Sequence, residues 1–149
     1  MKKFSLVFVP VFFLYCYALS QNFIIIRHIG LSDSYIPDLL IKNGEINQSL
    51  LDSNYHKKSY LVNIELDSNR FQTFKKILIK KKFLDKYVKN LAHGTYEILM
   101  VTWDKKETFY ISNLKSRLFF EMVINDAKKN GFNGSDLVLH LEEIARKLY

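Results

Sequence analysis

"GTYEILMVTWDKKETFYIS", Gly94 to Ser112, places two β-rich runs on either side of a short polar break at "DKK". Such runs around a polar tip predict a β-hairpin. The first run is apolar on both faces, with Ile98 and Met100 on one and Leu99, Val101 and Trp103 on the other. A strand with no wet face belongs in the middle of a sheet that is covered on both sides. The second run closes on Ser112 and Asn113, which can cap "LKSRLFFEMVINDAKKNG" as a helix.

Upstream, "SYLVNIELD" alternates Tyr60, Val62, Ile64 and Leu66 with Asn63 and Glu65, the pattern of a strand with one solvated face. Asp67 or Ser68 then offers a cap, and Phe71, Phe74, Ile77 and Leu78 recur at helical spacing. Leu84, Val88 and Leu91 extend that helix to a stop at His93 and Gly94. Downstream, Ser135 caps a last helix along which Leu137, Leu141, Ile144 and Leu148 line up. Glu142 with Arg146 and Glu143 with Lys147 stand one turn apart in the favourable order. The result is an α+β domain over residues 55–149, β-α-β-β-α-α, with helices packed on an antiparallel sheet.

The opening of the chain is of another kind. Lys2 and Lys3 precede "FSLVFVPVFFLYCYALSQ", which carries no charge and closes on the small residues Ala18 and Ser20. A basic start, an apolar stretch and a small-x-small ending predict a signal peptide over residues 1–20, cleaved after Ser20. The alternative is an uncleaved transmembrane anchor, since no charge appears between Lys3 and Arg27. Ser20, Gln21 and Asn22 sit together against that alternative, being poorly placed in hydrocarbon. Cys16 is the only cysteine and lies inside this segment, and the bulky Tyr15 before it argues against a lipoprotein cleavage site. The mature chain therefore has no disulfide framework, thiol nucleophile or cysteine-based zinc site. About 130 residues, 48% hydrophobic and 15% aromatic in the full chain, suffice for one core. A periplasmic or secreted bacterial protein is expected.

Residues 21–54 show short apolar runs broken by "GLSDSYIPD" and "KNGEINQS". They read as an irregular amino-terminal arm, with "FIIIR" as a possible edge strand and "PDLLIKNG" as one helical turn.

Basicity is concentrated in one element. Removing Lys2 and Lys3 takes the net charge from +7 to +5, while Arg70 to Lys89 holds eight basic residues against Asp85 alone. Within "KKILIKKKFLDKYVK", Lys75, Lys82, Lys86 and Lys89 fall close to whole helical turns and form one stripe. Lys80 and Lys81 interrupt the apolar side, which predicts a bend or break near Lys80 to Lys82. The stripe is a candidate site for an anionic membrane surface or acidic polysaccharide. Trp103, at the hairpin tip, is a candidate protein anchor. Nucleic acid would need the aromatic face and the basic helix to adjoin, and export leaves most nucleic acid behind.

Catalytic signals are thin. His28, His56, His93 and His140 sit in separate elements, and none belongs to a paired-histidine metal motif. His140 and Glu143 share a helix face as a polar rim, and His56, four residues from Asp52, reads as a turn histidine. Asp33 and Asp38 read as acids of a polar loop. "GxSxG" is absent, and "NGFNG" follows a helix where a phosphate loop would follow a strand. The sequons at Asn47 and Asn133 indicate exposed loops. No cofactor or metal is expected. The sequence thus describes an exported, non-enzymatic binding domain whose partner is another exported or envelope protein, as for an inhibitor or envelope accessory protein. Recognition of an anionic surface is the alternative reading, and a small hydrolase the second alternative.

Overall fold

The computed structural model describes residues 22–29, 36–55, 61–88, 95–102 and 105–148. Five strands, β1 (Asn22–Ile29), β2 (Asp38–Asn43), β3 (Leu61–Glu65), β4 (Thr95–Val101) and β5 (Lys106–Ile111), form one sheet in the order β3-β2-β1-β4-β5. Four helices accompany them: α1 (Gln48–Asn54), α2 (Ser68–Ile79), α3 (Asn113–Ala127) and α4 (Asp136–Lys147). The α+β class is as expected. Residues 1–21, and with them the predicted signal peptide, lie outside the described residues.

Three features differ from the sequence reading. The irregular arm over 21–54 is replaced by two strands and a helix. "FIIIR" is no edge strand, because β1 is the middle of the sheet, antiparallel to β2 on one side and to β4 on the other. Its physical reason is the run itself: Phe23 and Ile25 enter one apolar cluster, and Ile24 and Ile26 the other. Backbone groups buried on both faces are satisfied only between two partner strands. "PDLLIKNG" is likewise a strand, with Leu39, Leu40 and Ile41 buried.

The second difference is the sheet, which is mixed and not purely antiparallel. β2 and β3 run parallel, Asp38 opposite Leu61 and Ile41 opposite Ile64. Parallel neighbours need a crossover. Here that crossover carries α1, started by Gly44 at φ 78° and by Asn47, whose side chain accepts from the Ser49 N–H at 2.8 Å. Leu50, Leu51 and Tyr55 from this region pack on Phe23, Ile25, Leu40, Leu99 and Val101. The opposite face is covered by the other helices and holds the larger core, including Phe71, Phe74, Phe119, Phe120 and Phe132. β4 is therefore covered on both faces, as its pattern indicates.

The third difference concerns α2. It starts where expected, with the Asp67 side chain accepting from the Arg70 N–H at 2.8 Å, but it ends at Ile79 and does not continue to Leu91. Phe71, Phe74 and Leu78 are fully buried, and the next positions on that face are Lys81 and Lys82. A further turn would carry charge into the core, so the helix stops. The chain instead returns to the sheet, where Asp85 exchanges backbone bonds with Tyr110 at 2.9 and 2.7 Å. The break anticipated near Lys80 to Lys82 is present; His93 and Gly94 lie outside the described residues.

α3 runs into a π-helical turn, Lys128–Phe132, in which Gly131 takes φ 89° and Phe132 is buried edge-on to Phe74 at 6.0 Å. Gly131 supplies a left-handed conformation that a side chain would strain. Ser135 caps α4 as anticipated, accepting from the Val138 N–H at 3.4 Å, whereas Ser112 makes no such side-chain bond at the start of α3. Glu143 and Lys147 pair at 2.8 Å as the spacing predicts, but Glu142 reaches across to Lys128 at 2.6 Å.

Candidate functional site

The four-lysine stripe does not survive the end of α2. Lys75 lies on the helix and is half-buried, while Lys82 and Lys86 lie beyond its end and are exposed. Lys89 and Trp103 lie outside the described residues. The helical register that would align these lysines is lost where the apolar face runs out.

Other lysines are brought together instead. Lys76 and Lys80 line a cleft of about 330 Å³ between α2 and the end of α3, with Thr73, Ile77, Asp126 and Asn130. Lys81, whose side chain is only 7% exposed, crosses to the Asp126 carboxylate. That hydrogen bond, with the charges of Lys81 and Lys129, holds the Asp126 carboxyl below the usual carboxylate range despite some desolvation. No local sequence signal marks this cluster, because half of it comes from α3, some fifty residues further on.

A second polar cluster lies where β1 and β2 part. Asp38 is fully buried at the start of β2, and its carboxylate accepts from the His28 N–H at 3.2 Å and from the Tyr55 hydroxyl at 2.7 Å. Asp38 is thus a structural acceptor of the core and no acid of a polar loop. Nearby, the β1 residue Arg27 meets its β4 neighbour Glu97 at 2.8 Å. On the helix-covered face the His28 ring lies 5.1 Å from the Tyr96 ring, and Tyr96 packs edge-on against Phe120 at 4.8 Å. The Tyr96 hydroxyl is buried and has no hydrogen-bond partner among the described residues. Burial first, and then the Asp38 charge, push its phenol well above the ordinary tyrosine range.

The hydrolase candidates are dispersed. His140 Nδ1 stands 3.8 Å from Glu143, which is already held by Lys147. Asp52 accepts from Gln48 at 2.7 Å, and His56 and Asp33 lie outside the described residues. Among the described residues no three His, Cys, Asp or Glu side chains gather as a metal site would require. Both sequon asparagines, Asn47 and Asn133, are exposed.

The outer edge of β5 is the remaining feature. Tyr110 turns both its N–H and its C=O away from β4, toward Asp85. By the two-residue period of a strand, Lys106 and Thr108 turn theirs the same way. Asp85 with Tyr110 is the one isolated bridge among the described residues, and none of them pairs with Lys106 or Thr108 on this edge. Tyr87, two residues past the bridge, is 79% exposed. No protein-family model, curated protein or solved structure matches this chain.

Proposed function

We propose that the chain is an exported, non-enzymatic binding domain that takes up an extended segment of a partner protein along the outer edge of β5. The observation that carries this reading is this edge, where main-chain groups of Lys106 and Thr108 face outward with no partner strand among the described residues, and Tyr87, two residues past the Asp85 bridge, is exposed. Added strands gain affinity from such main-chain bonds, and an aromatic at the margin supplies an anchor. Export is supported by the leader-like residues 1–20 and by the start of β1 at Asn22, two residues past the expected cut. The described residues contain no cysteine and no helix long and apolar enough to cross a membrane.

Thr108→Pro tests the reading. Proline removes the outward N–H, and on an edge strand it leaves the pairing with β4 in place. The variant is expected to keep the far-UV circular dichroism and cooperative melt of the parent. Immobilised and exposed to its own cell envelope and culture medium, it is expected to retain at least tenfold less partner, as is Tyr87→Ala. Neutralising Lys75 and Lys82 to Gln leaves retention unchanged. Equal retention by Thr108→Pro and the parent, or a tenfold loss on neutralising the lysines alone, contradicts the proposal.

A further inference from the structure

We propose that the cleft between α2 and the end of α3 binds a phosphate group, through the ammonium groups of Lys76 and Lys80. Lys76 and Lys80, the latter closing α2, are exposed, one turn apart, and both line the cleft. Like charges at that spacing repel, so each favours a counter-ion between them. The one carboxylate in the cleft, Asp126, is already engaged by Lys81, and no ion pair of Lys76 or Lys80 exists among the described residues. Lys129, three residues past Asp126, adds its positive charge at that carboxylate.

The charge balance favours an anion. Two lysines, Lys76 and Lys80, line the cleft, and its single carboxylate, Asp126, is held by a third, Lys81. The carboxyl end of α2 subtracts about half a charge. A clear positive excess is left.

The donor chemistry narrows the ligand. The cleft offers ammonium groups and no guanidinium fork, which suits a compact, highly charged oxyanion better than a planar carboxylate. The Asn130 side-chain amide donates to the Asp126 carbonyl at 2.7 Å, which leaves its second N–H for a ligand. Thr73 donates its hydroxyl proton to the Asn69 carbonyl at 2.9 Å and is not a donor here. At about 330 Å³ the cleft admits a phosphate with part of whatever carries it. Free phosphate and a phospholipid headgroup share this chemistry.

The probe is inorganic phosphate, titrated into the protein at constant ionic strength while amide chemical shifts are followed. Saturable shifts at residues 73–80 and 126–130 with a millimolar Kd are expected. Lys76→Gln with Lys80→Gln is expected to weaken binding at least tenfold, and Lys75→Gln with Lys82→Gln to leave it unchanged. A parallel arm uses phosphatidylglycerol vesicles. Sedimentation with vesicles that is lost in the Lys76/Lys80 variant assigns the phosphate to a headgroup, and phosphate binding without vesicle recruitment assigns it to a soluble ligand. Absence of saturation in both arms, or binding that ignores the Lys76/Lys80 exchange, overturns the proposal. All four positions are at the surface of α2 or beyond it, so circular dichroism of each variant is expected to match the parent.

Discussion

Ile24→Asp is expected to abolish the cooperative unfolding transition of the domain. Ile24 is fully buried in the larger core, opposite Ile41 of β2 and Met100 of β4. The substitution removes about 2 kcal/mol of apolar burial. It also places a carboxylate where neither strand neighbour can pair with it, which costs several kcal/mol more. Together these approach the whole stability of an ordinary domain, roughly 5–15 kcal/mol. Circular dichroism with urea as denaturant checks this: the variant shows no native baseline. A midpoint close to the parent's is what an amino-terminal arm packed late on the surface would give, and it would contradict a middle strand.

Asp38→Ala is expected to lower stability by about 2–4 kcal/mol. Truncation removes the acceptor that the Tyr55 hydroxyl and the His28 N–H share, a carboxylate that is itself fully buried. It also frees the end of the α1 crossover, because Tyr55 is tied to β2 through that carboxylate. Tyr96→Phe is the opposite case. It deletes a buried hydroxyl that has no partner among the described residues while keeping the ring packed on His28 and Phe120, so a gain of about 1 kcal/mol is expected. Urea titration reads both. A neutral Asp38→Ala, or a Tyr96→Phe that loses stability, would show that the polar groups at this end are satisfied in another way.

Much of the architecture is legible locally. The β4–β5 hairpin, the caps Asp67 and Ser135 and the break after Leu78 each follow from a few neighbouring residues. β1 escaped because four successive apolar residues, Phe23 to Ile26, show no alternation and follow an apolar leader with little between. Such a run reads equally as leader, arm or strand. β2 escaped because Pro37 and Asp38 look like the start of a turn, although the aspartate is buried. The parallel pairing of β2 with β3 is a long-range choice that periodicity does not contain.

The candidate sites divide the same way. Counting lysines located the basic element, but the helical spacing that lines up four of them ends with α2 at Ile79. Lys75, Lys82 and Lys86 are separated by the end of α2, while Lys76, Lys80 and Lys81, which fell off the stripe, line or close the cleft. Which lysines cooperate is decided by Asp126 and the turn after α3, and no window around residue 80 includes them. The open β5 edge is equally non-local, since it depends on a single bridge from Asp85.

Native-state hydrogen exchange tests most directly whether Asn22–Ile29 is the middle of the sheet and β5 its open edge. Strands paired on both sides open only with global unfolding, whereas unpaired edge amides exchange from the native state. The amides of Ile24, Ile25 and Ile26 are therefore expected among the last in the protein to exchange, and those of Lys106 and Thr108 among the first. Fast exchange along β1, with protection of Lys106 and Thr108, would contradict both the fold and the binding edge built on it.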